Sequence, residues 1–137
     1  MLTNWDAEFK KASASVSLYR TSSETDRIFI QPLTFQKILD GLIDNALRAT
    51  ANTEKPEISI DIQFEASYCV IDITDNGCGI SENKWEEVFD RHYTTKEEGG
   101  FGLYYAREEL AKFSGKIFVK ESEPGKGTTM RMMLRRC

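Results

Sequence analysis

Residues 70–80 read VIDITDNGCGI, an alternating strand pattern that ends in a carboxylate and two glycines. Asp75 at the end of a buried strand can accept a hydrogen bond from an exocyclic amine such as that of adenine, and a charge-assisted bond of this kind is worth roughly 1.5–3 kcal/mol. Gly77 and Gly79 would let the backbone approach a ring or sugar closely. Asp-Asn-Gly is also typical of a plain hairpin turn, so this stretch alone leaves both interpretations open.

A second candidate lies near the end of an apolar helix, in LIDNALRAT. The amide oxygen of Asn45 can ligate Mg²⁺, an ion that prefers oxygen ligands and keeps several waters and the phosphates of its nucleotide. Arg48 is three residues further on, hence on the same face, and can meet a phosphate. A solvated last helical turn explains the same residues, so this pattern too is ambiguous by itself.

A third candidate is GGFGLYYAREEL, in which glycines lead directly into a helix. Exposed N–H groups at a helix N-terminus, with no side chains in the way at Gly100 and Gly102, form a site for an anion such as phosphate. The pattern is not the GxxxxGK[ST] phosphate loop, and it is not a dinucleotide-binding fingerprint because no strand precedes it directly and GxGxxG is absent.

Hydrophobic periodicity predicts the elements that must position these groups. Apolar residues of helix 33–51 fall at the i, i+3, i+4, i+7 spacing of a buried stripe. EISIDIQF, residues 57–64, alternates as a half-buried strand does, and is expected to form a hairpin with the strand at 70–75. The other predicted elements are a short N-terminal helix in 4–14, strands at 16–20 and 27–31, helices at 82–89 and 103–114, and a C-terminal hairpin of strands 116–122 and 128–134.

Composition limits what else the chain can be. Its 137 residues predict a single domain, 1–137, that is large enough for its own core. A net charge of −4 argues against a broad nucleic-acid-binding face. Three cysteines without a CxxC pair and a single histidine argue against zinc and for reduced thiols in the cytoplasm. No apolar run has the length of a transmembrane helix, and the start lacks the apolar block of a signal peptide, so no membrane contact by this chain is expected.

The order of the motifs resembles one family. LIDNALRAT is similar to the N box, DNGCGI to the G1 box, FDRHYTTK to the F-box region, GGFGL to the G2 box and PGKGTTM to the C-terminal Gly-Thr strand of the GHKL ATP-binding superfamily. Within it, the chain resembles the catalytic ATP-binding domain of bacterial sensor histidine kinases, from about Leu33 to Leu134. The resemblance implies an α+β fold of Bergerat type, a two-layer α/β sandwich with a mixed, largely antiparallel sheet, helices on one face and an ATP lid over residues 81–99.

The resemblance also implies the ligands, ATP and Mg²⁺, and a set of residues that bind them. Asn45 would hold the Mg²⁺ that bridges the phosphates, and Asp75 would accept from the adenine amino group. One of two threonines would complete the adenine site, and the sequence does not choose between them. The implied nucleotide-binding residues are Asn45, Arg48, Asp75, Gly77, Gly79, Ile80, Arg91, Lys96, Gly100, Gly102, Leu103, Thr128 and Thr129. No catalytic acid or base is assigned.

Three positions depart from the family pattern. Gly41 stands one turn before Asn45, where ATP-hydrolysing relatives such as type II topoisomerases carry a glutamate general base, so the sequence favours phosphotransfer over hydrolysis. Glu98 replaces the first glycine of the usual GxGxGL. Ala49 occupies a place where many relatives have an aromatic residue, which predicts weaker stacking on adenine.

The chain contains one histidine, His92, and it lies in the lid region. The resemblance therefore implies transfer of the ATP γ-phosphate to a histidine on a separate dimerisation domain, in cis in a longer protein or in trans, with a response regulator downstream. The expected location is the cytoplasm. Two alternatives stay open: a nucleotide-binding regulatory module that transfers nothing, and a GHKL serine kinase of the anti-sigma type.

Overall fold

The computed structural model describes residues 15–21, 27–90 and 102–137. Within this part of the chain lie a five-stranded sheet and two α-helices. The elements are β1 (Ser15–Thr21), α1 (Pro32–Ala49), β2 (Glu57–Phe64), β3 (Tyr68–Asp75), α2 (Gly102–Lys112), β4 (Lys116–Glu123) and β5 (Gly127–Arg135). Two short 3₁₀ turns, Glu82–Lys84 and Glu87–Phe89, lie between β3 and α2. The N-terminal helix predicted from the sequence falls outside the described residues.

The strands are arranged in the order β1-β2-β3-β5-β4. β1 is parallel to β2, while the β2–β3, β3–β5 and β4–β5 pairs are antiparallel. A parallel pair needs a crossover connection, and α1 lies in that connection between β1 and β2. The mixed, largely antiparallel sheet that the sequence predicts is confirmed.

The core lies between one face of the sheet and the two helices. Alternate residues of the central strands point into it: Ile60 lies opposite Ile73, and Ile73 lies opposite Met130, all of them buried. From the helical side, Ile43 of α1 and Leu110 of α2 are fully buried in the same cluster. The helices therefore cover one face of the sheet, as expected for two packed layers.

Both ends of α1 have a local explanation. Pro32 begins the helix at a position whose N–H has no acceptor within the helix, so the N–H that proline lacks costs no hydrogen bond. At the other end the buried Thr50 donates its hydroxyl hydrogen to the Ala46 carbonyl over 2.9 Å and closes the last turn. The predicted range 33–51 is confirmed to within two residues at each end.

The strand predicted at 27–31 is wrong. Ile28 forms an isolated antiparallel bridge with Arg136, and the backbone N–H of Phe29 donates to the Arg135 carbonyl over 2.7 Å. Pairing goes no further because Pro32 begins α1 directly afterwards and because β5 has already ended. The β-branched residues predicted a strand, but the available partner is only long enough for a bridge.

The helix predicted at 82–89 is also wrong, since the chain forms two three-residue 3₁₀ turns there. The indole N–H of Trp85 donates to the Ile80 carbonyl over 3.0 Å, which turns the first segment back on itself. Val88 and Phe89 are buried in the core at the end of the second turn. The Trp85 hydrogen bond and the burial of Val88 and Phe89 hold the segment to the domain.

Candidate functional site

Asp75 is the last residue of β3 and lies in the buried layer of the sheet, with 6% of its surface exposed. Its Oδ1 atom accepts a hydrogen bond from the backbone N–H of Gly77 over 2.8 Å. Burial raises the pKa of the Asp75 carboxyl above its ordinary value, and backbone hydrogen bonds from Gly77 and Thr128 partly offset this rise. The strand end therefore presents a fixed, desolvated hydrogen-bond acceptor.

The glycines after Asp75 hold the chain against two neighbouring elements. A Cβ atom on Gly77 would lie 2.2 Å from the carbonyl oxygen of Ala49, which excludes any side chain there. Gly79 has a φ of +74°, and a Cβ atom on it would lie 2.1 Å from the carbonyl oxygen of Glu123. Both glycines are therefore required by close backbone contacts and, at Gly79, by conformation.

Backbone hydrogen bonds fasten this loop on both sides. The Cys78 N–H donates to the Ala49 carbonyl at the end of α1 over 3.0 Å, and the Cys78 carbonyl accepts from the Gly125 N–H over 2.7 Å. Asn76 ties the loop to the start of β2, because its Oδ1 accepts from the Glu57 N–H over 2.8 Å and its Nδ2 donates to the Lys55 carbonyl over 2.9 Å. Asn76 thus has a structural role that sequence reasoning did not assign.

The two threonines of β5 lie on opposite faces of the sheet. Thr128 pairs in register with Asp75 and is buried, with 6% of its surface exposed. Thr129 hydrogen-bonds to the hydroxyl of Thr74 over 2.9 Å on the other face. The geometry brings Thr128, and not Thr129, next to Asp75.

A serine of β4 joins Thr128 to the loop. Ser122 Oγ lies 2.7 Å from Thr128 Oγ1 and accepts a hydrogen bond from the Ile80 N–H over 2.7 Å. Ser122 follows a register shift between Val119 and Glu121 that breaks the alternation of the strand. Sequence reasoning missed Ser122, since the strand pattern gives no signal for the shift that turns it toward Thr128.

Asn45 is half-buried on the half of α1 that leads to the Asp75 loop, and its side chain makes no hydrogen bond to the residues that the structure describes. No group among the described residues occupies its amide oxygen, and an amide oxygen suits Mg²⁺. Arg48, one turn further on, is exposed and forms an ion pair with Asp44, with 2.8 Å between Nε and Oδ2. A phosphate at Arg48 would have to share its guanidinium with that carboxylate.

The start of α2 lies against α1 one helical turn before Asn45. A Cβ atom on Gly41 would lie 3.4 Å from the Cα atom of Gly102, which is ordinary van der Waals contact. The two glycines let the helix backbones approach closely, so α2 begins beside α1 one turn from Asn45. Leu103, the next residue, is half-buried and packs on the core.

The remaining predicted residues divide into two groups. Ile80 is half-buried, packs on the core and donates its N–H to Ser122. Arg91, Lys96 and Gly100 lie outside the described residues, as do Glu98 and His92. Among the described residues, no three His, Cys, Asp or Glu side chains are grouped as a metal site.

A side chain of α2 contacts the segment of the two 3₁₀ turns. Arg107 forms an ion pair with Glu86, with 2.9 Å between Nη2 and Oε2, and its guanidinium carbon lies 4.1 Å from the ring centroid of Phe89. Phe89 itself is buried. Sequence reasoning did not single out Arg107, because the partners of a helix arginine depend on which segment packs beside it.

A family model described as "Histidine kinase-, DNA gyrase B-, and HSP90-like ATPase" matches residues 30–136. The chain belongs to this family. The recognition of a GHKL ATP-binding domain from the motif order is thereby confirmed. Neither described α-helix has the length and apolar character needed to cross a membrane.

The curated relatives of the chain include sensor kinases from archaea and bacteria. It is 29% identical over 136 residues to the methanogenesis regulatory histidine kinase FilI of Methanothrix harundinacea, which covers 97% of this chain and 15% of the relative. It is 34% identical over 96 residues to the sensor histidine kinase DcuS of Escherichia coli, and 35% identical over 105 residues to the sensor histidine kinase WalK of Bacillus subtilis. These matches cover 69% and 72% of this chain, but 18% and 17% of the relatives. The chain thus spans less than a fifth of each relative's length.

Solved structures show the same fold. The catalytic domain of the histidine kinase ThkA superposes with a TM-score of 0.83 at 21% identity, covering 98% of this chain and 88% of that one. The mycobacterial sensor histidine kinase MprB superposes with a TM-score of 0.80 at 17% identity, covering 98% and 90%. The predicted two-layer α+β fold is confirmed.

Proposed function

We propose that this chain is the Mg-ATP-binding catalytic domain of a sensor histidine kinase, which transfers the γ-phosphate of ATP to a histidine on a separate dimerisation domain. The observation that carries the proposal is the buried carboxylate of Asp75 at a strand end, walled by the backbone of Gly77 and Gly79. A desolvated acceptor beside backbone that excludes side chains suits the amino edge of a flat base such as adenine.

The proposed nucleotide site has an adenine end and a phosphate end. Asp75 and Thr128 accept at the adenine end, and Gly77, Gly79 and Ile80 form its wall. At the phosphate end lie Asn45, Arg48 and the first N–H groups of α2, from Gly102 and Leu103. Arg91, Lys96 and Gly100 are proposed from the motif match to join them.

Mg²⁺ would be held by the Asn45 amide oxygen together with the phosphates, and when bound it neutralises charge on the transferring phosphoryl group. Gly41 offers no carboxylate at the position where hydrolysing relatives carry a general base. This domain therefore positions the nucleotide without a carboxylate at this position to activate water, while any acid or base that assists the accepting histidine comes from the partner. A response regulator is the proposed downstream acceptor, and the cytoplasm the proposed location.

The test is incubation of the chain with γ-labelled ATP and the cognate dimerisation domain. Label on a histidine of that domain is the expected result. Label on a serine would instead indicate the anti-sigma type of kinase, and tight ATP binding without transfer would indicate a regulatory module.

The nucleotide assignment is tested with Asp75→Asn in the same assay and in an ATP titration. Losing a charge-assisted hydrogen bond predicts roughly a tenfold to hundredfold loss of affinity, with transfer reduced accordingly. Asp72→Asn is the matched control, because Asp72 is on the same strand but on the outer face, paired to Arg131 over 2.8 Å. Unchanged affinity in Asp75→Asn would remove Asp75 from the site.

The metal assignment is tested with Asn45→Ala. We expect this variant to weaken nucleotide binding in the presence of Mg²⁺ by about tenfold, since one ligand oxygen is lost, and to leave binding in EDTA nearly unchanged. Asn52→Ala, an exposed amide beyond α1, serves as the control. Equal losses with and without Mg²⁺ would contradict a role for Asn45 as a metal ligand.

A further inference from the structure

Ser122 has three hydrogen-bond partners around the proposed adenine site. Its Oγ accepts from the Ile80 N–H over 2.7 Å, donates to the Gly127 carbonyl over 3.0 Å and lies 2.7 Å from Thr128 Oγ1. A single half-buried hydroxyl therefore joins the wall of the site, the first residue of β5 and the threonine beside Asp75.

Counting hydrogens fixes the direction of the third bond. A hydroxyl has one hydrogen to donate and two lone pairs to accept with. The Ile80 N–H can only donate and the Gly127 carbonyl can only accept, so they use one lone pair and the hydrogen of Ser122. The remaining lone pair can satisfy Thr128 only if the Thr128 hydroxyl donates its hydrogen to Ser122.

This direction determines what Thr128 offers to a ligand. With its hydrogen given to Ser122, Thr128 has only lone pairs left, so it is an acceptor next to the carboxylate acceptor of Asp75. Two neighbouring acceptors complement an amino group, which carries two hydrogens, directly or through a bridging water. When a base that lacks the amino group binds, both acceptors stay without a hydrogen-bond donor, which costs binding free energy.

We propose that Ser122 is a positioning residue that holds the Thr128 hydroxyl as an acceptor and thereby strengthens the selection of purines with an exocyclic amino group. This inference rests on the proposed function, since it assumes an adenine nucleotide beside Asp75. Without Ser122, the Thr128 hydrogen is free to turn toward the Asp75 carboxylate and to compete with the amino group for it.

The experiment compares the affinities of ADP and of purine riboside diphosphate, which lacks only the amino group, by calorimetry. Removing the hydroxyl in Ser122→Ala is expected to reduce the ADP preference roughly three- to tenfold, the size of one hydrogen bond. Ser122→Thr, which keeps a hydroxyl, is expected to retain the wild-type preference for ADP. In a Thr128→Val background, Ser122→Ala is expected to change the preference no further, because the acceptor is already gone.

A matched control separates this effect from general loosening of the sheet. Thr74→Val removes the hydroxyl of a second pair, the 2.9 Å contact with Thr129 on the outer face, one residue before Asp75. It is expected to leave the preference for ADP unchanged. If Ser122→Ala is too unstable to titrate, Ser122→Cys keeps the shape with much weaker hydrogen bonding and is expected to lose the preference as well.

Two outcomes would overturn the inference, and they differ from a failure of the proposed function. An unchanged preference in Ser122→Ala, or additive effects of Ser122→Ala and Thr128→Val, would show that Ser122 does not act through Thr128. A wild-type chain that binds neither nucleotide would instead overturn the adenine site itself, and with it the premise of this inference.

Discussion

At the scale of single residues, the carboxylate of Asp75 is held in the apolar layer by two backbone N–H groups, those of Gly77 and Thr128. These bonds do not offset its desolvation, because its pKa remains raised above the ordinary value. A nucleotide amino group would supply a further hydrogen bond to the charged form. The unliganded protein therefore carries a cost in folding stability at a position that the proposed function needs.

That cost predicts a pH-dependent stability difference for Asp75→Asn. The pKa of Asp75 is higher in the folded state than in the unfolded chain. The free energy of unfolding of the wild type is therefore lowered by this carboxylate above the folded pKa, and it is not lowered below the unfolded pKa. The unliganded variant is therefore expected to be more stable than the wild type at neutral pH. This advantage should shrink as the pH falls through the folded pKa toward the ordinary aspartate value.

Urea unfolding at a series of pH values measures this difference. Asp72→Asn is the contrasting control, since it breaks the two-pronged ion pair with Arg131 and should lose up to about 1 kcal/mol at neutral pH. A variant Asp75→Asn that is less stable than the wild type at neutral pH would show that the carboxylate contributes stability there, contrary to this account.

At the scale of elements, those with strong periodicity were predictable from the sequence. The alternation of EISIDIQF predicts a strand at 57–64, and the structure has β2 at Glu57–Phe64. Helix α1 follows from its apolar stripe in the same way, because burial on one face imposes the period of each element. Segment 27–31 and segment 82–89 were mispredicted, since their conformation depends on the length of a partner strand and on tertiary contacts such as the Trp85 hydrogen bond.

The candidate site, too, was predictable from the sequence only in part. The motif order placed Asp75, Gly77, Gly79 and Asn45 in one region, and the structure positions their elements to meet there. The choice of threonine was beyond the sequence, because neighbouring residues of a strand point to opposite faces and one step of register decides between them.

Helix–helix contact was likewise beyond the sequence. In the sequence, Gly41 stands out only because it lacks the polar side chain that relatives carry there. In the structure it allows the backbone of Gly102 to approach α1. A longer side chain at Gly41 would displace the start of α2 from the Asn45 end of α1. Gly41 thus affects the geometry of the proposed phosphate end, besides leaving no side chain to act as a general base.

At the scale of the whole molecule, the end of the domain with the proposed nucleotide site is held together by bonds between elements distant in the sequence. The Asp75 loop is bonded to the end of α1 through Cys78 and Ala49, and to the β4–β5 turn through Cys78 and Gly125. The opposite end has its own bonds, including those from the Arg136 N–H to the Ser67 carbonyl over 3.1 Å and from the Phe29 N–H to the Arg135 carbonyl over 2.7 Å.

These two sets of bonds predict a localised response to nucleotide in hydrogen exchange. Opening of the Asp75 loop would destroy the proposed site, so a nucleotide at a hundred times its dissociation constant should oppose that opening by about 2.7 kcal/mol, roughly a hundredfold in rate. The N–H groups of Gly77, Cys78, Ile80 and Gly125 are expected to slow by up to this factor. The internal controls are the amides of the opposite end, which open without disturbing the site and should exchange at unchanged rates. Equal slowing at both ends would instead mean that the two ends open together in one cooperative unit. The bonds around Cys78 would then not define a separate unit of opening.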